Sequence, residues 1–196
     1  GFLLCNPMLI ATIVVVAVLA VFRIPYADYL QGSSMLTLML SPVTAVLALN
    51  VYNQRRLLGE YFLPVIVGCL VGTLTSVGSV LLLCKLMAVN ASMTSALLPK
   101  SVTTAIAIAI SENLGGIPGV TAAAVVIAGV VGAIFAPTFA KLFHVTDPVA
   151  EGVAIGACSH ALGTAKALEI GTLQGAMSSV SLCICGILTS ILVLFF

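Results

Sequence analysis

Charge is what this chain has least of: Lys, Arg, Asp and Glu make up 7% of 196 residues, against 61% hydrophobic residues and a mean hydropathy of +1.28. That balance excludes an ordinary soluble domain and describes a polytopic membrane protein in a lipid bilayer. No basic run extends beyond Arg55-Arg56 and the net charge is +1, which excludes nucleic acid and an anionic membrane surface as natural partners. No Cys-x-x-Cys occurs; Cys5, Cys69, Cys84, Cys158, Cys183 and Cys185 fall in or beside apolar runs and read as small core residues without a metal or disulfide role. No secretory signal opens the chain, because the first apolar run lacks a basic start and a small-residue cleavage site; the start at Gly1 fits trimmed ends. No enzyme constellation and no cofactor motif is present: Ser159 and His160 are adjacent, which denies them nucleophile-and-base geometry.

What is present is a succession of uncharged stretches, 1–22, 29–54, 61–84, 113–140 and 170–196, each long enough to span a bilayer at about 20 residues per helix. Full spans are predicted at about 3–22, 35–52, 61–84, 119–140 and 172–196. Pro7 falls near the start of the first, where a helix tolerates proline. Arg55 and Arg56 place the loop 53–60 in the cytoplasm by the positive-inside rule.

Two polar islands interrupt the pattern, Pro99–Thr104 and Ser159–Lys166. Each follows one plan: a short apolar arm (92–98; 149–158), a break, a second arm ending in acid at Glu112 or Glu169, then a full span. Shifting the chain to lay Glu112 on Glu169 also lays Thr103 on His160, although few identities accompany the match. If each unit is a re-entrant hairpin, the second is inverted relative to the first and Lys141 shares the cytoplasmic side with Arg55. The expected architecture is thus an all-α polytopic membrane protein with about five full spans and two broken or re-entrant helical hairpins, arranged as inverted repeats. Residues 1–90 would form the N-terminal scaffold and dimer part, and 91–196 the two hairpin-plus-span units that carry the site.

A helix broken inside a bilayer frees backbone groups that lipid cannot satisfy, so the break must line a cavity or be buried in protein. A second arm starting at such a break directs free N–H groups and its positive dipole end into that space, which suits a small anion. Lys100, Ser101, Thr103 and Thr104 at one break, and Ser159, His160, Gly163 and Thr164 at the other, are the expected substrate-binding residues. His160 titrates near neutrality when unperturbed, which suits proton coupling or donation to an anion, against the alternative of a satisfied core histidine. Glu112, Asn113, Lys166 and Glu169 are candidates for coupling or charge pairing, Lys166 and Glu169 being spaced for an i,i+3 ion pair. Asp147-Pro148 reads as a helix start, and Gly68-x-x-x-Gly72, Gly152-x-x-x-Gly156 and Gly171-x-x-x-Gly175 as points of close backbone approach.

The islands are also specific. Leu97-Leu98-Pro99-Lys100-Ser101-Val102-Thr103-Thr104, Ser111-Glu112-Asn113-Leu114-Gly115-Gly116-Ile117-Pro118, residues 159–169 and Gly175-Ala176-Met177-Ser178-Ser179 closely resemble the CidB/LrgB family. Asn6-Pro7, Ile24-Pro25-Tyr26 and Ser41-Pro42 extend the likeness over essentially the whole chain. Ala105 stands where the family places proline after its double threonine, and Ser41 and Asn50 stand in place of glycine and proline. The resemblance implies two competing roles. One is a holin/antiholin-like modulator of murein hydrolase export and lysis with a small LrgA/CidA-type membrane partner. The other is a carrier of pyruvate, glycolate or glycerate; the chain is then expected to act as a homodimer in the cell inner membrane, or in the plastid envelope of a plant. The anion-site argument selects the carrier.

Overall fold

The computed structural model describes residues 7–39, 42, 49 and 51–195, and all the regular secondary structure among them is helical. The chain divides into two compact units, Gly1–Val43 and Thr44–Phe196. The first contains α1 (Pro7–Val21), α2 (Tyr26–Gly32) and α3 (Ser34–Leu38). Ile13, Val16 and Val21 along α1 are exposed. Half of the predicted span 35–52 falls outside the described residues, as do Cys5, Asn6, Ser41 and Asn50.

The second unit carries α4 (Arg55–Glu60), α5 (Phe62–Leu86), α6 (Ala91–Leu97), α7 (Thr104–Asn113), α8 (Pro118–Leu142), α9 (Pro148–Ile170) and α10 (Thr172–Val193). Three of these, α5, α8 and α10, are long and apolar enough to cross a membrane. The 25 residues of α5 extend roughly 37 Å, more than the ~30 Å hydrocarbon core.

The starts of these helices follow their sequence. Asp147 caps α9 by accepting from Val149 N (2.7 Å) and Ala150 N (2.9 Å), with Pro148 in the first helical position. Asn90 caps α6 by accepting from Met93 N at 2.8 Å. In lipid the association of helices rests on close packing and on interhelical hydrogen bonds, because lipid tails are as apolar as leucine. Small residues supply that closeness. An added Cβ at Gly152 would lie 2.6 Å from Gln174 O on α10, and one at Gly68 would lie 2.9 Å from Val153 Cγ1 on α9. The α5/α9/α10 seam so formed buries Val65, Cys69, Val153, Ala157, Met177 and Val180. Hence α5, grouped by sequence with the N-terminal scaffold, packs directly against the helices that bear the second island.

Candidate functional site

Both islands interrupt helices. At the first, α6 ends at Leu97 and the chain turns through Leu98–Thr103 before α7 begins at Thr104. Pro99 has no N–H to continue the helix, and two tight turns replace it, Lys100 N donating to Leu97 O (3.2 Å) and Val102 N to Pro99 O (3.2 Å). Leu98 anchors the turn among Val77, Val80 and Cys84 of α5. Val102 anchors its other side against Ala107 and Val125. Between these apolar pins the polar groups meet α5: Ser101 Oγ lies 2.7 Å from Ser76 Oγ, and Lys100 Nζ donates to Ser101 Oγ at 3.3 Å. Thr103 occupies the N-cap of α7 with extended backbone (φ −60°, ψ 145°), yet its hydroxyl caps nothing and is buried without a partner. The N–H groups of a helix's first turn have no intrahelical acceptor, so this break holds spare donors.

The second break is a single residue. His160, inside α9, adopts φ 39°, ψ −137°, a left-handed backbone that side chains other than glycine rarely take and that costs ~1–3 kcal/mol. Its surroundings hold it there. His160 is 4% exposed and its Nε2–H donates to Val125 O on α8 at 2.8 Å, which fixes the tautomer because a carbonyl can only accept. Thr164 Oγ1 lies 2.9 Å from His160 O and 2.8 Å from Ser178 Oγ on α10. Gly129 and Gly132 on α8 make room: an added Cβ at 129 would stand 2.7 Å from the imidazole Nε2, and one at 132 would stand 2.8 Å from Ser159 Cβ.

A cavity of about 240 Å³ opens between α8 and α9, walled by Ala136, Phe139 and Ile155, with Glu151 and, deeper along α9, Cys158 and Ser159 on its lining. The remaining predicted residues are dispersed. Glu112 and Asn113 are exposed at the far end of α7, Gly163 is buried against Ser159 and Ile155, and Lys166 pairs with Glu169 at 2.7 Å as an exposed i,i+3 ion pair. No group of His, Cys, Asp and Glu suited to a metal occurs among the described residues.

Ser76 of α5, which meets the first break at Ser101, and the Gly129-x-x-Gly132 pair of α8, which makes room for the second, were not singled out by sequence; Ser178 of α10 stood only inside a quoted motif, without a role. The signal for them was small or hydroxyl residues recurring at helical spacing in apolar spans.

The LrgB-like family profile matches residues 1–196. The uncharacterized protein YxaC of Bacillus subtilis (strain 168) is 38% identical over 184 residues, 94% of this chain and 80% of that protein. The antiholin-like protein LrgB of the same strain, and that of Bacillus mycoides (strain KBAB4), are each 33% identical over 193 residues, 98% of this chain and 84% of theirs. No solved structure matches the chain. With the family match covering every residue and these relatives aligned almost end to end, the chain belongs to the LrgB-like family.

Proposed function

We propose that this chain works as a membrane protein with an antiholin-like role, and that its molecular activity is the passage of a small monocarboxylate of the pyruvate, glycolate or glycerate class. The two parts have different support. The printed names of the LrgB relatives favour the antiholin-like role. Geometry favours the carrier activity through one observation: the first break combines the free start of α7, an unpartnered Thr103 hydroxyl and the part-buried Lys100 ammonium. Such donors suit an anion, and the activity requires no bond chemistry and no cofactor.

In this reading the chain resides in the cell inner membrane as a homodimer, with five full spans and the two broken segments as inverted hairpins; an LrgA/CidA-type small membrane protein is a candidate partner. Reconstitution in sealed vesicles separates the two activities. A carrier accumulates labelled carboxylate saturably and leaves an entrapped dye inside; a pore-forming or pore-controlling protein releases dye irrespective of the carboxylate. Dye leak without saturable uptake removes the carrier and leaves the antiholin-like role.

A further inference from the structure

The second break is the tip of a folded-back helix. Along the first arm of α9 the contacts with α10 advance together: Gln174 Nε2 donates to Glu151 Oε2 at 3.2 Å, and a Cβ added at Gly156 would stand 2.9 Å from Ser178 Cα. Along the second arm they run the other way, Thr164 meeting Ser178 at 2.8 Å and a Cβ added at Gly175 standing 3.1 Å from Leu168 Cα. The arms are therefore antiparallel, with His160 between them. This tip meets α8 near its middle, at Val125 and Gly132, and each arm covers roughly 15–18 Å, about half of the hydrocarbon core.

The cavity between α8 and α9 follows the first arm to that tip. Its inner walls run from Ala140 to Gly132 on α8 and from Glu151 to Ser159 on α9, the same length on each, roughly 12 Å. At its outer end a recess of about 410 Å³ shares Ala140, Val145 and Glu151 with it and adds Lys141, His144 and Thr146. Ile170, the last residue of α9, lines this recess together with Glu151 of the first turn, so both arms return to one mouth.

The chemistry changes along the way. At the mouth the Lys141 ammonium has no ion pair among the described residues, whereas Glu151 is held by Gln174. The middle is apolar, with Ala136, Phe139 and Ile155. At the floor stands Ser159, only 1% exposed, whose hydroxyl takes no partner among the described residues although Thr164, Ser178 and His160 around it are all engaged. That order suits conduction: a charge to gather an ion, walls that do not hold it, and a donor where it stops. Beyond the floor the way is shut by His160 on Val125 O and by Ser159 against Gly132. We propose that the recess and the cavity form one water-filled passage, by which a small monocarboxylate reaches the Ser159 hydroxyl from the side on which Lys141 lies, and that the tip of α9 closes it toward the other side.

The assignment rests on the carrier reading, and Cys158 reports on it separately, being exposed on the cavity wall while Cys69, Cys84, Cys183 and Cys185 are buried. Membrane vesicles of both orientations, bearing the full chain or its Cys158→Ser variant, are treated with a charged, membrane-impermeant methanethiosulfonate or a lipid-soluble maleimide; the difference between the two proteins is the reaction at Cys158. His144→Cys, placed in the Cys158→Ser background, marks the face on which the mouth opens. Cys158 is expected to react with the charged reagent from that face and not from the other. Pyruvate, glycolate or glycerate at ten times its dissociation constant should slow the reaction about 10-fold by occupying the floor beside the thiol. No reaction with the charged reagent from either face overturns the passage, and reaction with the maleimide alone marks a crevice filled by lipid. Reaction from both faces, or reaction that none of the three acids slows, overturns it as well. Saturable carboxylate uptake by the same vesicles leaves the carrier standing in each of these cases; its absence removes the carrier and the passage together.

Discussion

The two breaks follow one plan in sequence and differ in how their polar groups are satisfied. At His160 the polar groups are matched: imidazole to Val125 O, the Thr164 hydroxyl to His160 O and Ser178, with glycines opposite to admit them. At Leu98–Thr103 only Ser101 and Lys100 are engaged, and the N-cap hydroxyl of Thr103 is left open. A saturated break is a joint that stabilises the fold. One with unfilled valences contributes little to folding and keeps its donors for something else.

Stability measurements in detergent can break this contrast. The largest effect is expected from Gly132→Val, which drives a branched side chain into Ser159 and should cost about 2–3 kcal/mol, read as loss of monodisperse protein or a steep fall in melting temperature. A variant that melts like wild type would show that α8 need not approach the joint. Next comes Thr164→Val, which abandons His160 O and Ser178 Oγ and should cost about 1–2 kcal/mol by thermal unfolding. Thr103→Val sharpens the comparison by its sign: removing an unpartnered buried hydroxyl should leave stability unchanged or raise it by up to about 1 kcal/mol. If Thr103→Val destabilises as much as Thr164→Val, the two breaks are energetically alike. Last, Lys166→Gln should leave the melting temperature within error, because its ion pair with Glu169 is exposed and screened.

Much of this was legible beforehand, for identifiable reasons. Asp147-Pro148 announced a helix start because both the cap oxygen and the missing N–H are local properties. The islands announced breaks because proline and clustered hydroxyls are costly inside an apolar helix, and Lys166 and Glu169 announced their own pairing by spacing. What His160 faces was not legible, since that depends on Gly129 and Val125 in a helix that sequence does not align with it. The open hydroxyl of Thr103 was hidden for the opposite reason. A threonine at an N-cap ordinarily accepts from the N–H groups of the first turn, and only coordinates reveal one that does not.

The joint at His160 also restricts which part of the molecule can rock. Thr164 clasps Ser178 on one side of it, and Ser181 donates to Val153 O on the other at 2.9 Å, so both halves of α9 are riveted to α10 and travel with it as one slab. Residues 91–113 are held by two further side-chain bonds, Ser101 with Ser76 of α5 at 2.7 Å and the Thr121 hydroxyl of α8 donating to Ser111 at 2.7 Å. Any gating stroke that turned the start of α7 from one leaflet to the other would have to release both.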